Sequence, residues 1–122
     1  MRVGITLEDE RGLESNVAEH FGQCRYFLIV DIKDNQMTAM KVVPNNAQHG
    51  GGGCLAVDEM LTHKVDSVIA GGMGGGAQQK FMRANVKVFG YSGKAQDAIR
   101  DFLKGPLANL DTCHEHGHSG GC

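Results

Sequence analysis

The sequence predicts a single α/β domain built around a mixed five-stranded sheet. Two observations lead to this fold class: an early hairpin pattern of apolar runs, and a later alternation of short apolar runs with helical spacing. The chain has 122 residues, of which 41% are hydrophobic and 21% are charged, as is typical of a globular domain with one core. We expect the elements in the order β-β-β-α-β-α-β-α.

Three strands come first. Apolar and polar residues alternate in "RVGITL" (2–7), and "RYFLIVDI" (25–32) is a strongly apolar run. After the turn residues "KDNQ", a third strand pattern follows in "MTAMKVV" (37–43). The second run is typical of a central strand, and the third is typical of its returning hairpin partner. The polar stretch 8–24 is long for a connection between strands, which indicates a functional segment.

Helical spacing alternates with strands in the rest of the chain. The predicted elements are helix 54–64, strand 65–71, helix 77–85, strand 86–92 and helix 95–105. Right-handed crossovers then give the strand order 3-2-1-4-5, in which strand 2 alone is antiparallel and helices cover both faces. This is a ribonuclease H-like three-layer arrangement. We expect the domain to occupy residues 1–110 and a coreless tail to occupy 111–122.

Charge and composition exclude several classes of partner. The formal net charge of −2 gives no general attraction for nucleic acid or for an anionic membrane. No apolar stretch approaches the roughly 20 residues of a membrane span, and the first residues do not form a signal peptide. We therefore expect a cytoplasmic protein with neither a nucleic acid nor a membrane as partner.

Three unusual loops are expected at one edge of this sheet. Ligands of open α/β sheets bind beyond the carboxyl ends of the parallel strands, near the point where the strand order reverses. The loops that reach this edge are "HFGQC" (20–24) with Arg25, the segment from His49 to Cys54, and the glycine run from Gly71 to Gly76. Two of them end at helix N-termini, whose free N–H groups favour anions, and glycine lets a bulky ligand approach the backbone.

Thiols and imidazoles at this edge are soft and borderline metal ligands, so the pattern predicts a pocket for an anionic metal–sulfur species. The candidate binding residues are His20, Cys24, Arg25, Gly52, Gly53, Cys54, Gly72, Gly74, Gly75 and Gly76, and the candidate metal ligands are His20, Cys24, His49 and Cys54. Structural interpretations stay open beside this one. The glycine run is also typical of a tight turn, Cys54 of a buried helical residue, and His20 of a packed histidine.

The last ten residues, "CHEHGHSGGC", form a second candidate metal site. Their thiols and imidazoles follow the pattern C-H-x-H-x-H-x3-C, and the candidate ligands are Cys113, His114, His116, His118 and Cys122. This set suits zinc, nickel or copper(I), but its spacing matches no zinc finger. An incidental tail without a metal is the alternative.

The segments "HFGQCRYFLIVDI", "VDSVIAGGMGGGAQQKF" and "VKVFGY" together resemble the dinitrogenase iron–molybdenum cofactor biosynthesis family over about residues 1–107. That family includes the nitrogenase-cofactor carrier NifX and the C-terminal part of NifB. The resemblance implies a ribonuclease H-like fold and non-catalytic handling of iron–sulfur or molybdenum-containing clusters. By position, His20, Phe21 and Gly22 match the family's "HFG" signature, which adds Phe21 and Gly22 to the candidate binding residues.

The resulting hypothesis is a non-enzymatic carrier of an anionic inorganic cluster. The cluster would be of the Fe–S, Fe–Mo–S or Mo–Cu–S type, and a second protein would donate or receive it. The alternative is a soft metal-ion chaperone or store that acts through the tail. A nuclease is disfavoured because no carboxylate cluster is placed on adjacent strands, and a dithiol redox enzyme because the sequence has no CxxC pair.

Overall fold

The computed structural model describes residues 1–46, 52–105 and 107. The strands and helices are β1 (Arg2–Leu7), β2 (Tyr26–Lys33), β3 (Gln36–Pro44), α1 (Gly52–Leu61), β4 (Ser67–Ala70), α2 (Gly75–Arg83), β5 (Lys87–Gly90) and α3 (Ala95–Lys104). Their order confirms the predicted one. Two single 3-10 turns that the sequence did not predict, Gly12–Glu14 and Phe21–Gln23, lie in the connection between β1 and β2.

The sheet has the predicted strand order β3-β2-β1-β4-β5. β2 is antiparallel to both neighbours, whereas β1 pairs with β4, and β4 with β5, in parallel. Leu7 at the end of β1 is paired with Tyr26 at the start of β2, and Tyr26 is paired with Pro44 at the end of β3. The loops after β1, β3, β4 and β5 therefore meet at one edge, which we call the carboxyl edge.

Apolar side chains form a core on each face of the sheet. On one face, α1 and α2 pack over residues such as Phe27 and Val68, and on the other, α3 packs over residues such as Leu28 and Ile69. Consecutive residues of β2 thus enter opposite cores, as the alternation of side chains along a strand requires. Helices on both faces were predicted, and the two cores confirm them.

The hairpin between β2 and β3 closes at the edge opposite to the carboxyl edge. Asp34 and Asn35 have φ values of 54° and 64°, the left-handed conformation that a two-residue hairpin turn needs and that Asp and Asn tolerate. The side-chain amide of Asn35 donates to the carbonyl oxygen of Leu103 at 2.8 Å. The end of α3 is therefore fastened to this turn.

Helices α1 and α2 each begin two residues earlier than predicted. Their first turns contain Gly52 and Gly53 in α1 and Gly75 and Gly76 in α2. Because glycine has a low helix propensity, the sequence analysis assigned these residues to the preceding loops. No helix in the described part of the chain is long and apolar enough to cross a membrane. Residues 111–122, predicted as a tail, lie outside the described residues.

Candidate functional site

Backbone hydrogen bonds join the loop after β1 to the loop after β4. The N–H of Gly71 donates to the carbonyl oxygen of Ala18 at 2.9 Å, and the N–H of Phe21 donates to that of Gly72 at 3.0 Å. The exposed residue His20 lies between these two bonds. The pairing of β1 with β4 places the junction at the point of the carboxyl edge where the strand order reverses, as predicted for the ligand site.

Two glycines permit this close approach. A Cβ atom on Gly72 would lie 2.5 Å from the carbonyl oxygen of Glu19, and one on Gly71 would lie 2.7 Å from that of Ala18. Any side chain at either position would force the two loops apart. The absence of a side chain at Gly72, which we attributed to a bound ligand, is therefore required by the neighbouring loop of the protein itself.

Phe21 anchors the loop in the core. It is 1% exposed, its ring stacks against Phe27 with centroids 6.2 Å apart, and it meets Phe81 edge to face at 5.4 Å. Its N–H donates to Gly72, and its carbonyl oxygen accepts the N–H of Cys24 at 3.4 Å. Because all of these groups are engaged within the protein, Phe21 supports the site from beneath, and its contact with a ligand stays a prediction.

Cys24 is likewise a core residue. It is 2% exposed, and burial raises the pKa of its thiol to about 12, although the side chain of Asn45 lies 3.6 Å from the sulfur and opposes that shift. A protonated, buried thiol is a poor metal ligand, because the thiolate is the form that binds metal. The predicted role of Cys24 as a ligand stays a prediction, and it requires this thiol to lose its proton and to become accessible.

Asn45 fastens the other end of the loop. Its side chain donates to the carbonyl oxygen of Cys24 at 2.9 Å, and its N–H donates to that of Arg25 at 2.9 Å. The segment from Ala18 to Arg25 is thus held on one side by the loop after β4 and on the other by the residue that follows β3. The sequence did not predict this role, since a single Asn after a strand carries no distinctive signal.

A shallow cleft of about 200 Å³ opens beside His20. The residues that line it are Glu8, Ala18, Glu19, His20, Cys24 and Arg25. The guanidinium of Arg25 was predicted as an anion partner, but two carboxylates that the sequence did not single out, Glu8 and Glu19, share the cleft with it. Their local signal is weak, because acidic side chains are common in exposed loops.

The start of α2 is the second open part of this edge. Its N-cap is Gly74, and no side chain caps the helix there, so the first turn of N–H groups is left for solvent or a ligand. A Cβ atom on Gly75 would meet no atom within 4 Å. Among the predicted binding residues, Gly75 is therefore one at which the lack of a side chain leaves open space.

Other predicted ligands are described only in part or not at all. Gly52, Gly53 and Cys54 begin α1, as the prediction of a helix start in this loop required. His49 and the tail ligands Cys113, His114, His116, His118 and Cys122 lie outside the described residues. Among the residues that the structure describes, no three His, Cys, Asp or Glu side chains are grouped closely enough to hold a metal ion.

Comparison with known families identifies the chain. The model of the family described as dinitrogenase iron–molybdenum cofactor matches residues 1–105. The chain belongs to this family. The match covers every strand and helix of the fold, and it confirms the resemblance seen in the sequence.

Solved structures of other proteins share this fold, and a curated protein is similar in sequence. The NMR structure of a Thermotoga protein of the DUF35 family, proposed to be NifB, is 31% identical, has a TM-score of 0.73, and covers 91% of this chain and 94% of its own. The apo form of the orange protein from Desulfovibrio gigas is 25% identical, has a TM-score of 0.79, and covers 91% and 93%. An uncharacterized protein of Methanocaldococcus jannaschii is 24% identical over 114 residues, which are 91% of this chain and 92% of the relative.

Proposed function

We propose that this protein of the dinitrogenase iron–molybdenum cofactor family binds a metal–sulfur cluster at the carboxyl edge of its sheet. It acts as a carrier, so the cluster is cargo that is received from one protein and passed to another without chemical change. The observation that carries the proposal is the exposed residue His20, whose backbone lies between the hydrogen bonds of Gly71 and Phe21 at the reversal of strand order.

The shape of this edge suits a rigid inorganic ligand. An imidazole is a ligand for iron and copper, which it binds through a ring nitrogen. A histidine on a flexible segment would first have to lose conformational freedom in order to bind. His20 lies between Ala18 and Phe21, and the backbone of both residues is hydrogen-bonded to the loop after β4. Little backbone freedom is therefore lost when His20 binds a ligand. The open start of α2 at Gly75 offers N–H groups to the sulfide face of a cluster.

The mixed charge of the cleft favours reversible capture. Arg25 and the N-terminus of α2 attract an anion, whereas Glu8 and Glu19 oppose it. A carrier has to release its cargo, and a moderate electrostatic attraction allows a receiving protein with a more basic site to compete. Family membership supports an iron–molybdenum cargo, and the proposal extends to Fe–S, Fe–Mo–S or Mo–Cu–S clusters.

Anaerobic titration of metal-free protein with an iron–sulfur cluster and with a thiomolybdate–copper cluster tests the proposal. Uptake is read from the absorbance of the protein-bound cluster after gel filtration and from elemental analysis. We expect stoichiometric uptake by the full chain and by a chain that ends at Asp111, and only a weak residual affinity in His20→Ala. His63→Ala is the control, because His63 lies at the opposite edge, where its carbonyl oxygen accepts a hydrogen bond from the guanidinium of Arg2 at 2.8 Å.

Failure of both full-length protein and the shortened chain to bind either cluster would refute the proposal. Uptake of free zinc, nickel or copper ions that is lost on shortening the chain would instead support the alternative, a metal-ion chaperone that acts through its tail.

A further inference from the structure

Gly71 and Gly72 differ from the other glycines of their loop in what occupies the space beside them. At Gly72 the Cβ position lies 2.5 Å from the carbonyl oxygen of Glu19, and at Gly71 it lies 3.0 Å from the Glu19 Cα atom. At Gly75 the same position meets no atom within 4 Å apart from its own stretch of helix. One glycine run therefore performs two tasks: its first part receives another loop of the protein, and its later part leaves an open surface.

We infer that Gly71 and Gly72 are positioning residues, which set the location of His20 by receiving the Ala18–Glu19 backbone and do not themselves contact the cargo. The inference rests on the proposed function, since the location of His20 matters for cluster binding only if His20 is a ligand. The inference also changes the role of Gly72 from a cluster-binding residue to a positioning residue. The Glu19 carbonyl oxygen already fills the space beside Gly72, so no room is left there for a cluster.

The hydrogen bonds explain why a small displacement of the Glu19 carbonyl would move His20. Glu19 precedes His20, and Phe21, which follows it, donates its N–H to the carbonyl oxygen of Gly72 at 3.0 Å. A methyl group on Gly72 would push the Glu19 carbonyl away and lengthen that bond at the same time. His20 lies between the two points of contact, so its imidazole would move with the loop, while the Phe21 ring remains in the core.

The test compares Gly72→Ala with a variant at another crowded glycine, whose neighbour is a side chain rather than a loop backbone. Gly4→Ala is that control, because its Cβ would collide with the side chain of Met60 in the core beneath β1 and would lower stability without touching the loops. Gly105→Ala is a second control, since nothing lies within 4 Å of its Cβ position. Both control residues lie outside the proposed site.

Amide hydrogen exchange in the metal-free protein gives the first readout. We expect Gly72→Ala to accelerate exchange of the Phe21 and Gly71 amides at least about tenfold relative to the wild type, and Gly4→Ala to leave both protected relative to its own global stability. Unchanged protection in Gly72→Ala would overturn the inference. This outcome does not depend on whether the protein binds a cluster.

A double-mutant cycle on cluster affinity gives the second readout. We expect Gly72→Ala to weaken cluster binding by about 10- to 100-fold in the wild type, the usual effect of disturbing a residue that orients a metal ligand. In the His20→Ala background the same change should alter the residual affinity less than about twofold, although its effect on stability should persist. An equal loss of affinity in both backgrounds would show that Gly72 acts independently of His20, and would overturn the inference.

The two readouts separate the inference from the proposed function. Absence of cluster binding by the wild type would refute the proposed function, and the exchange experiment would still decide whether Gly72 positions the His20 segment. Normal binding by the wild type together with normal binding by Gly72→Ala would refute the inference and leave the proposed function standing.

Discussion

The N–H of Phe21 donates to the carbonyl oxygen of Gly72 at 3.0 Å, while the ring of the same phenylalanine is buried in the core against Phe81. One residue thus joins the loop after β1 to the loop after β4 and also fixes both to the hydrophobic interior. The neighbouring residue His20 is exposed on a segment that is held by the buried ring of Phe21 and by the hydrogen bonds to the loop after β4. The rigidity of the candidate site comes from these contacts.

The contribution of the Phe21 ring to stability is the first prediction. Phe21→Ala should lower the free energy of unfolding by about 3–5 kcal/mol, because it removes a fully buried ring that contacts two other aromatic rings. Urea unfolding followed by circular dichroism measures the change. Met82→Ala is the control; this side chain is 71% exposed, and its removal should change stability by less than about 0.5 kcal/mol.

The second prediction concerns the open glycine. Gly75→Ala should keep or raise stability, by up to about 0.5 kcal/mol, because alanine restricts the unfolded chain and meets no neighbouring atom. Its affinity for the titrated cluster should nevertheless fall, since the added methyl group occupies the space through which a ligand reaches the first turn of α2. Thermal unfolding and cluster titration on the same preparation check both parts. Unchanged affinity would show that the cargo does not approach the backbone at Gly75.

The third prediction is that Cys24 is unreactive in the folded protein. A chain that ends at Asp111 and carries Cys54→Ser retains Cys24 as its single thiol. Because burial raises the pKa of this thiol to about 12, its reaction with a disulfide reagent at pH 8 should be at least about 100-fold slower in native buffer than in urea. Equal rates in the two conditions would mean that the thiol is accessible, and would restore Cys24 as a candidate ligand.

The fourth prediction concerns the charges of the cleft. Glu19→Gln should strengthen the binding of an anionic cluster and Arg25→Gln should weaken it, each by about two- to fivefold, the range expected for charges at an exposed site. Both effects should shrink at high salt because of screening. Lys87→Gln is the control, since Lys87 starts β5 at the opposite edge. If Lys87→Gln weakens binding as much as Arg25→Gln does, the attraction is a property of the whole surface.

The fifth prediction is a pH dependence of stability at the Arg2–Asp31 ion pair, which joins the first residue of β1 to β2 at 2.7 Å. The hydrogen bond from Arg2 holds the pKa of Asp31 below its ordinary value near 3.8. The pair therefore stabilises the fold above that value, and its contribution is lost as the pH falls through the lower pKa of the folded state. Urea midpoints of the wild type and Asp31→Asn should differ at pH 7, and the difference should shrink progressively as the pH falls below 3.8.

The partner residue supplies the control for this pH dependence. Arg2→Gln removes the same hydrogen bond from the other side, so it should lose the acid-dependent part of the stability to the same extent as Asp31→Asn. A difference between the wild type and Asp31→Asn that persists unchanged at pH 2.5 would contradict the assignment of the effect to this pair.

The strand order and the meeting of the three loops at the carboxyl edge were predictable because they depend on local patterns. The apolar run of β2, the turn residues after it and the later helical spacing together leave few ways to order the strands. The same patterns placed the loop of His20, the start of α1 and the glycine run at one edge, as the structure confirms.

The inward orientation of Phe21 and Cys24 was not predictable in the same way. Both lie in a polar connection with no helical or strand period, and they are buried because a 3-10 turn at Phe21–Gln23 packs against α1 and α2. The task of Gly72 depends on the position of Glu19, a residue more than fifty positions away along the chain. Contacts of this range leave no trace in the local composition of either segment.

The hydrogen bond between Asn35 and Leu103 has a practical consequence for measuring cargo exchange. Because it fastens the end of α3 beside the β2–β3 turn, the last residues of this helix lie at the edge of the sheet that faces away from His20. A fluorophore or a surface tether introduced just after α3 would therefore start far from the cleft. Protein immobilised in this way on a sensor chip would present its His20 edge to the solution, where a donor or acceptor protein can reach it.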